Sequence, residues 1–123
     1  MDTKLLASNI RNAKKDPDGW YNCWGFTQYA LGATKELDWV EGEDMEYWLS
    51  ENTKLVKTQK DGDILVFRDV PDQSGELLHT AIYFKGKIYQ KRGGCPFDIT
   101  DSVGNLLKRD KNYGYFTEIR RLL

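Results

Sequence analysis

The chain has one histidine, His79, two cysteines, Cys23 and Cys95, and three prolines. A single imidazole and two thiols without a Cys-x-x-Cys spacing make a poor zinc ligand set, so no metal is expected, and nothing points to another cofactor. Two thiols are too few for a disulfide-stapled scaffold. None is needed, because a chain of 123 residues buries about two thirds of its unfolded surface. No apolar run approaches the ~20 residues of a membrane-spanning helix. The opening MDTKLLASNIRNAKK lacks the apolar stretch of a secretory signal. The expectation is a protein cytoplasmic as synthesised, released by lysis, a holin or a dedicated secretion system if at all. Neither charge dominates: 18 basic against 19 acidic residues leave a net charge of −1. That excludes a global footprint for nucleic acid or an anionic membrane. The nearest basic runs, Lys85, Lys87, Lys91 and Arg92, then Lys108 to Arg121, read as solvated sides of strands. With no repeat, low-complexity tract or linker, residues 1–123 read as a single domain.

What is present is a globular composition with abundant aromatics, 13% of the chain. The first half is helical in pattern. Asp2 or Thr3 caps a helix with Leu5, Leu6, Ile10 and Ala13 at helical spacing, ended by Asp16-Pro17-Asp18-Gly19. A second helix starts near Cys23 and runs to a C-terminal Gly32. A third carries Met45, Trp48 and Leu49 behind acidic Glu41, Glu43 and Asp44. The second half reads as strands. Ile64-Leu65-Val66-Phe67 is continuous enough to be buried on both faces. His79 to Phe84 and Ile88 to Gln90 flank a Lys85-Gly86-Lys87 turn, and Tyr113 to Leu122 closes the set. Arg92 to Asn112 is rich in turn residues. Helices followed by a run of strands predict an α+β fold with N-terminal helices packed on an antiparallel sheet.

Chemistry concentrates in Trp20-Tyr21-Asn22-Cys23-Trp24-Gly25-Phe26-Thr27. A cysteine opening a helix feels the positive end of the dipole, which favours the nucleophilic thiolate. The first N–H groups of that helix lack intrahelical partners and can bind an oxyanion. Gly25 lets another backbone or a substrate come close. Taken one at a time, Cys23 also fits a small buried apolar residue, His79 a quietly bonded strand residue, and Gln90 an exposed strand position.

Together these residues resemble the NlpC/P60 family of papain-like cysteine peptidases. The family's D/N-C-x-G-F block matches Asn22-Cys23-Trp24-Gly25-Phe26. Its Gly-Asp followed by an apolar strand matches Gly62-Asp63-Ile64-Leu65-Val66-Phe67. Its H-x-G/A-I-Y strand matches His79-Thr80-Ala81-Ile82-Tyr83, and its third polar residue falls on Gln90. The blocks keep the family's order from Trp20 to about Gly93. Two positions depart from the family: Trp24 stands where Ser is common, and Gln90 where His is frequent. The resemblance implies a thiol hydrolase in which Cys23 attacks an amide carbonyl. His79 takes and returns the proton, and Gln90 orients the ring. An uncharged Gln90 implies weaker orientation than a carboxylate would give. Tyr21, Trp24 and Trp20 would line the substrate, with ordinary core packing the alternative for Trp20 and Trp24.

The family's common substrate is the peptidoglycan stem peptide, whose carboxylates would suit Lys91 and Arg92. The implied partner is therefore a peptide or peptidoglycan fragment, without nucleic acid or membrane. An intracellular amidase, isopeptidase or acyltransferase is the alternative with the same chemistry. A non-catalytic binding or inhibitory module is the alternative without it. Cys95, after Gly93-Gly94 and before Pro96, reads as a loop thiol, with a Cys23–Cys95 disulfide as the opposing hypothesis.

Overall fold

Three helices open the chain: α1 (Thr3–Lys14), α2 (Cys23–Ala30) and α3 (Gly42–Asn52). Strands β1 (Thr53–Val56), β2 (Ile64–Arg68), β3 (Leu77–Phe84), β4 (Lys87–Lys91) and β5 (Phe97–Thr100) follow. Helix α4 (Val103–Arg109), a 3-10 turn (Lys111–Tyr113) and β6 (Tyr115–Leu122) end the chain. The computed structural model describes residues 2–91 and 97–123.

The six strands form one antiparallel sheet in the order β1-β6-β2-β3-β4-β5. β2 lies centrally between β6 and β3, which is why its apolar run is continuous and buried on both faces. Its residues alternate between two cores. Ile64 and Val66 join Ile82 and Phe84 under α1, α2 and α3, where Leu6, Ile10, Phe26, Met45 and Leu49 are buried. Leu65 and Phe67 join Ala81 and Ile88 on the other face, covered by Leu106 of α4 and by Tyr113. Fully burying each such large side chain contributes roughly 1.5–3 kcal/mol.

Local signals explain most boundaries. The Asp2 carboxylate caps α1 by accepting from the N–H groups of Lys4 and Leu5. Leu6, Ile10 and Ala13 face the core as expected, joined by Asn9, while Leu5 is exposed. Asn9 belongs there because its amide donates to the carbonyls of Tyr29 and Ala30 at the end of α2. The β3–β4 turn is tighter than the reading predicts. Phe84 pairs with Lys87, so only Lys85 and Gly86 turn, with φ of 48° and 78°.

Three elements depart from the sequence reading. β1 exists through its pairing with β6, although Lys54 and Leu55 point into solvent. The turn-rich stretch after Arg92 contains β5 and α4, the latter capped by Ser102 accepting from Asn105 N–H. Arg68, at the end of β2, is 2% exposed and gives Nε to Glu118 at 2.6 Å and its two Nη atoms to Glu46, each at 2.9 Å. This cluster ties α3 to β2 and β6. Burial opposes the guanidinium charge, and the two carboxylates outweigh it and raise the arginine's pKa.

Candidate active site

The start of α2 is built from both ends of its motif. Asn22 is the N-cap, its side-chain oxygen accepting from Gly25 N–H at 2.9 Å. The same side chain holds Val40, accepting from its N–H at 3.3 Å and donating Nδ2 to its carbonyl at 2.7 Å. The segment around Val40 therefore crosses directly over the helix start. A Cβ on Gly25 would lie 1.7 Å from the Asp38 carbonyl oxygen. Glycine is required there so that this backbone can close over the helix.

Helix entry leaves few free N–H groups. Gly25 is spent on the cap, and Phe26 donates to the Asn22 carbonyl. The N–H groups of Cys23 and Trp24, with that of Thr80 in β3, act to lower the Cys23 thiol's pKa. α2 and β3 are locked at this point. The hydroxyls of Thr27 and Thr80 lie 2.7 Å apart, and Thr27 donates to the Cys23 carbonyl at 2.9 Å. β3 pairs with β4 from Ile82–Tyr89 to Phe84–Lys87, and Thr80 precedes that ladder.

Cys23 is a free, buried thiol. Burial pushes its pKa up to about 12, against the opposing pull of three backbone N–H groups and the charge of Lys91. Lys91 is not a solvated strand-end charge. It is 2% exposed, with its ammonium 5.0 Å from the centre of the Tyr21 ring. Tyr21 is equally buried and donates its hydroxyl to the Ala13 carbonyl at 3.0 Å. Burial, with Asp16 and Asp18, raises that phenol's pKa to about 12.

His79 precedes Thr80, so its ring turns to the opposite face of β3. There it is wholly buried and stacked parallel on Tyr113 at 3.7 Å, with Phe67 tilted alongside. Its Nε2 lies 2.7 Å from Gln90 Oε1. Gln90 is fully buried rather than an exposed strand residue. The structure thus brings His79 and Gln90 together and sets Cys23 against the neighbouring backbone. Among the described residues, no hydrogen bond or ion pair joins the Cys23 thiol to the imidazole.

The two tryptophans occupy different places. Trp24 packs over Gly42 and lines a groove of about 770 Å³ with Glu41, Glu43, Asp44, Glu46 and Glu76. Trp20 is not packed in the core. It is 78% exposed and stacks on Trp39 at 5.1 Å. The groove beside Trp24 is acidic. Arg92 and Cys95 lie outside the described residues. Among the described residues, no group of three His, Cys, Asp or Glu side chains is placed to hold a metal ion.

Sequence reasoning did not single out Thr80, Tyr113 or Asp98. Asp98 lies within the turn-rich stretch and Tyr113 just past it, and both meet the site only through tertiary pairing.

Two solved structures are similar to this chain in fold. One is an NlpC/P60 family protein from Bacillus cereus ATCC 10987, with a TM-score of 0.58 and 19% identity over 95% of this chain. The other is described as similar to lipoprotein, NLP/P60 family, from Staphylococcus aureus subsp. aureus Mu50, with a TM-score of 0.59 and 14% identity over the whole chain. The chain has the NlpC/P60 fold. It spans 40% and 43% of the lengths of those two proteins. No family model matches the sequence, and no curated protein does. In NlpC/P60 terms, the helices packed on an antiparallel sheet are the α+β arrangement the sequence predicts.

Proposed function

We infer that the protein is a cysteine hydrolase of amide bonds, with Cys23 as nucleophile, His79 as base and Gln90 orienting the ring. The observation that carries this reading is the packing of the Cys23 helix start on Thr80, next in sequence to the His79–Gln90 pair. Thr80 Oγ1 reaches the Cys23 carbonyl at 3.5 Å, and the imidazole one residue earlier is bonded to Gln90. The buried thiol rests protonated, so attack requires general-base removal of its proton rather than a preformed ion pair. Catalytic hydrogen bonds are often long or poorly aligned in a resting site and tighten once substrate is bound. The N–H groups of Cys23 and Trp24 are the donors for the oxyanion, since the next two along the helix are occupied. His79 then protonates the leaving amine, and water releases the acyl group from sulfur. Peptidoglycan stem peptides are the proposed substrate class, through the fold shared with NlpC/P60 proteins.

A second reading, a non-catalytic binding module, is favoured by the buried, protonated thiol. Peptide-resolved alkylation of Cys23 against pH, in wild type and His79→Ala, separates the two. Alkylation near neutral pH faster than a thiol of pKa about 12 allows, lost in the variant, supports general-base activation by His79 and hence the hydrolase. A Cys23 inert in both proteins supports the binding module. Release of stem-peptide fragments from purified walls, lost in Cys23→Ala, tests the substrate.

A further inference from the structure

A single imidazole held by a neutral amide raises the question of what holds the amide. Gln90 donates Nε2 to Asp98 Oδ2 at 3.1 Å, across the β4–β5 pair in which the two residues stand directly opposite. Asp98 is in turn gripped by Arg109 of α4, whose Nη1 lies 2.6 Å and 2.8 Å from its two oxygens. A carboxylate only accepts hydrogen bonds, so the end of Gln90 that faces Asp98 must be its NH₂. The amide oxygen then faces His79, and only a protonated Nε2 can donate to it. In the neutral ring the lone pair is left on Nδ1.

We propose that Asp98 is a positioning residue: through Gln90 it fixes the neutral imidazole of His79 as the Nε2–H tautomer. This deepens the reading of His79 as base, on which its functional meaning rests. It explains how a glutamine can serve where a charged group would orient a ring more firmly. The carboxylate is present, one residue further out, and Gln90 relays its polarity. Without Asp98, the amide can rotate by a half-turn and offer NH₂ to the ring, which selects the opposite tautomer. Arg109 fixes the carboxylate from the solvent side, where Asp98 retains 20% of its side-chain exposure.

The test uses the full chain and needs no substrate. His79 is the only histidine, so long-range ¹H–¹⁵N correlation of ¹⁵N-labelled protein reports one ring. Spectra are taken above its titration, where the ring is neutral. Wild type is expected to show the Nε2–H pattern. Asp98→Ala is expected to move the two nitrogen resonances towards each other, as the tautomers mix. Asp98→Glu, which keeps an acceptor-only carboxylate, is expected to restore the wild-type pattern. If Asp98→Ala does not fold, Asp98→Val, better suited to a strand, replaces it. A wild-type ring protonated on Nδ1, or an unchanged pattern in a folded Asp98→Ala or Asp98→Val, overturns the proposal. The spectra do not depend on catalysis. If Cys23 alkylation shows no dependence on His79 while the tautomer follows Asp98, the hydrolase reading fails and the positioning role stands.

Discussion

Asn22 and Val40 are joined in both directions, Nδ2 donating to the Val40 carbonyl at 2.7 Å and Oδ1 accepting from the Val40 N–H at 3.3 Å. The same Oδ1 caps α2 at Gly25. One side chain therefore starts the helix that carries Cys23 and seats the segment above it. Asn22→Ala removes a cap worth about 1 kcal/mol. It also leaves partly buried backbone groups unpaired, at roughly 1–3 kcal/mol. Urea unfolding is expected to show a loss of about 2–4 kcal/mol. Asn22→Asp keeps the acceptor and loses the donor, so it should fall between. It also sets a negative charge beside the thiol and should slow Cys23 alkylation.

Gly25 and Gly86 are both expected to resist alanine, for different reasons. At Gly25 the added Cβ would meet the Asp38 oxygen at 1.7 Å, so the crossing segment must move. At Gly86 the Cβ meets nothing within 4 Å, but φ is +78°. Left-handed backbone costs a non-glycine residue about 1–2 kcal/mol. Overpacking a closed contact costs about 1–3 kcal/mol or more. Gly25→Ala should therefore be the more damaging in a denaturant titration. It should also disturb the Trp20–Trp39 stack, visible in near-ultraviolet circular dichroism, whereas Gly86→Ala should leave that signal intact.

The raised thiol pKa makes a prediction about alkaline stability. The folded pKa of Cys23 is about 12, above the 9.0 of an ordinary thiol. Between those values the unfolded chain gives up a proton that the folded chain keeps. The contribution is fully present below pH 9 and is lost as pH rises towards 12. Three units correspond to an upper bound of ~4 kcal/mol. Tyr21, raised from 10.0 to about 12, acts with the same sign in the upper part of that window. Urea midpoints from pH 8 to 11 should fall less steeply in Cys23→Ala than in wild type. Equal slopes would mean that the thiol titrates normally.

Much of this architecture is visible in the residues, and the invisible parts share a cause. The run Ile64–Phe67 announces a central strand because both faces of β2 are covered. Gly25 and Gly32 announce the close approach over α2 and its end, because a crossing backbone and a C-cap demand glycine there. β1 shows no such signal, since Lys54 and Leu55 face solvent and the strand exists by pairing with β6. α4 hides behind Val103, Gly104 and Asn105, weak helix formers that Ser102 and Leu106 compensate. The site divides the same way. Cys23, His79 and Gln90 stand out by type and order. Asp98 enters only through the β4–β5 register, and Tyr113 only through the fold of the 3-10 turn over β3. Lys91 reads as a surface charge until Tyr21 is seen beneath it.

On the hydrolase reading, with Trp24 lining the substrate, the acidic groove beside it predicts the charge of the preferred substrate. Glu41, Glu43, Asp44 and Glu76 line it, with Glu46, whose carboxylate is engaged by Arg68. A peptide presenting a free amine to this surface is attracted, and one presenting a carboxylate is repelled. Exposed charges interact weakly, on the order of 0.2–1 kcal/mol each. Neutralising Glu43 and Asp44 together, as Glu43→Gln and Asp44→Asn, should raise KM for an amine-bearing stem peptide by about 2–10-fold and leave kcat near wild type. The difference should shrink as salt is raised towards ~1 M, where charges more than about 3 Å apart are screened. A carboxylate-bearing substrate should respond in the opposite sense, binding better to the neutralised protein. Equal responses of the two substrates would place the scissile peptide elsewhere than in this groove.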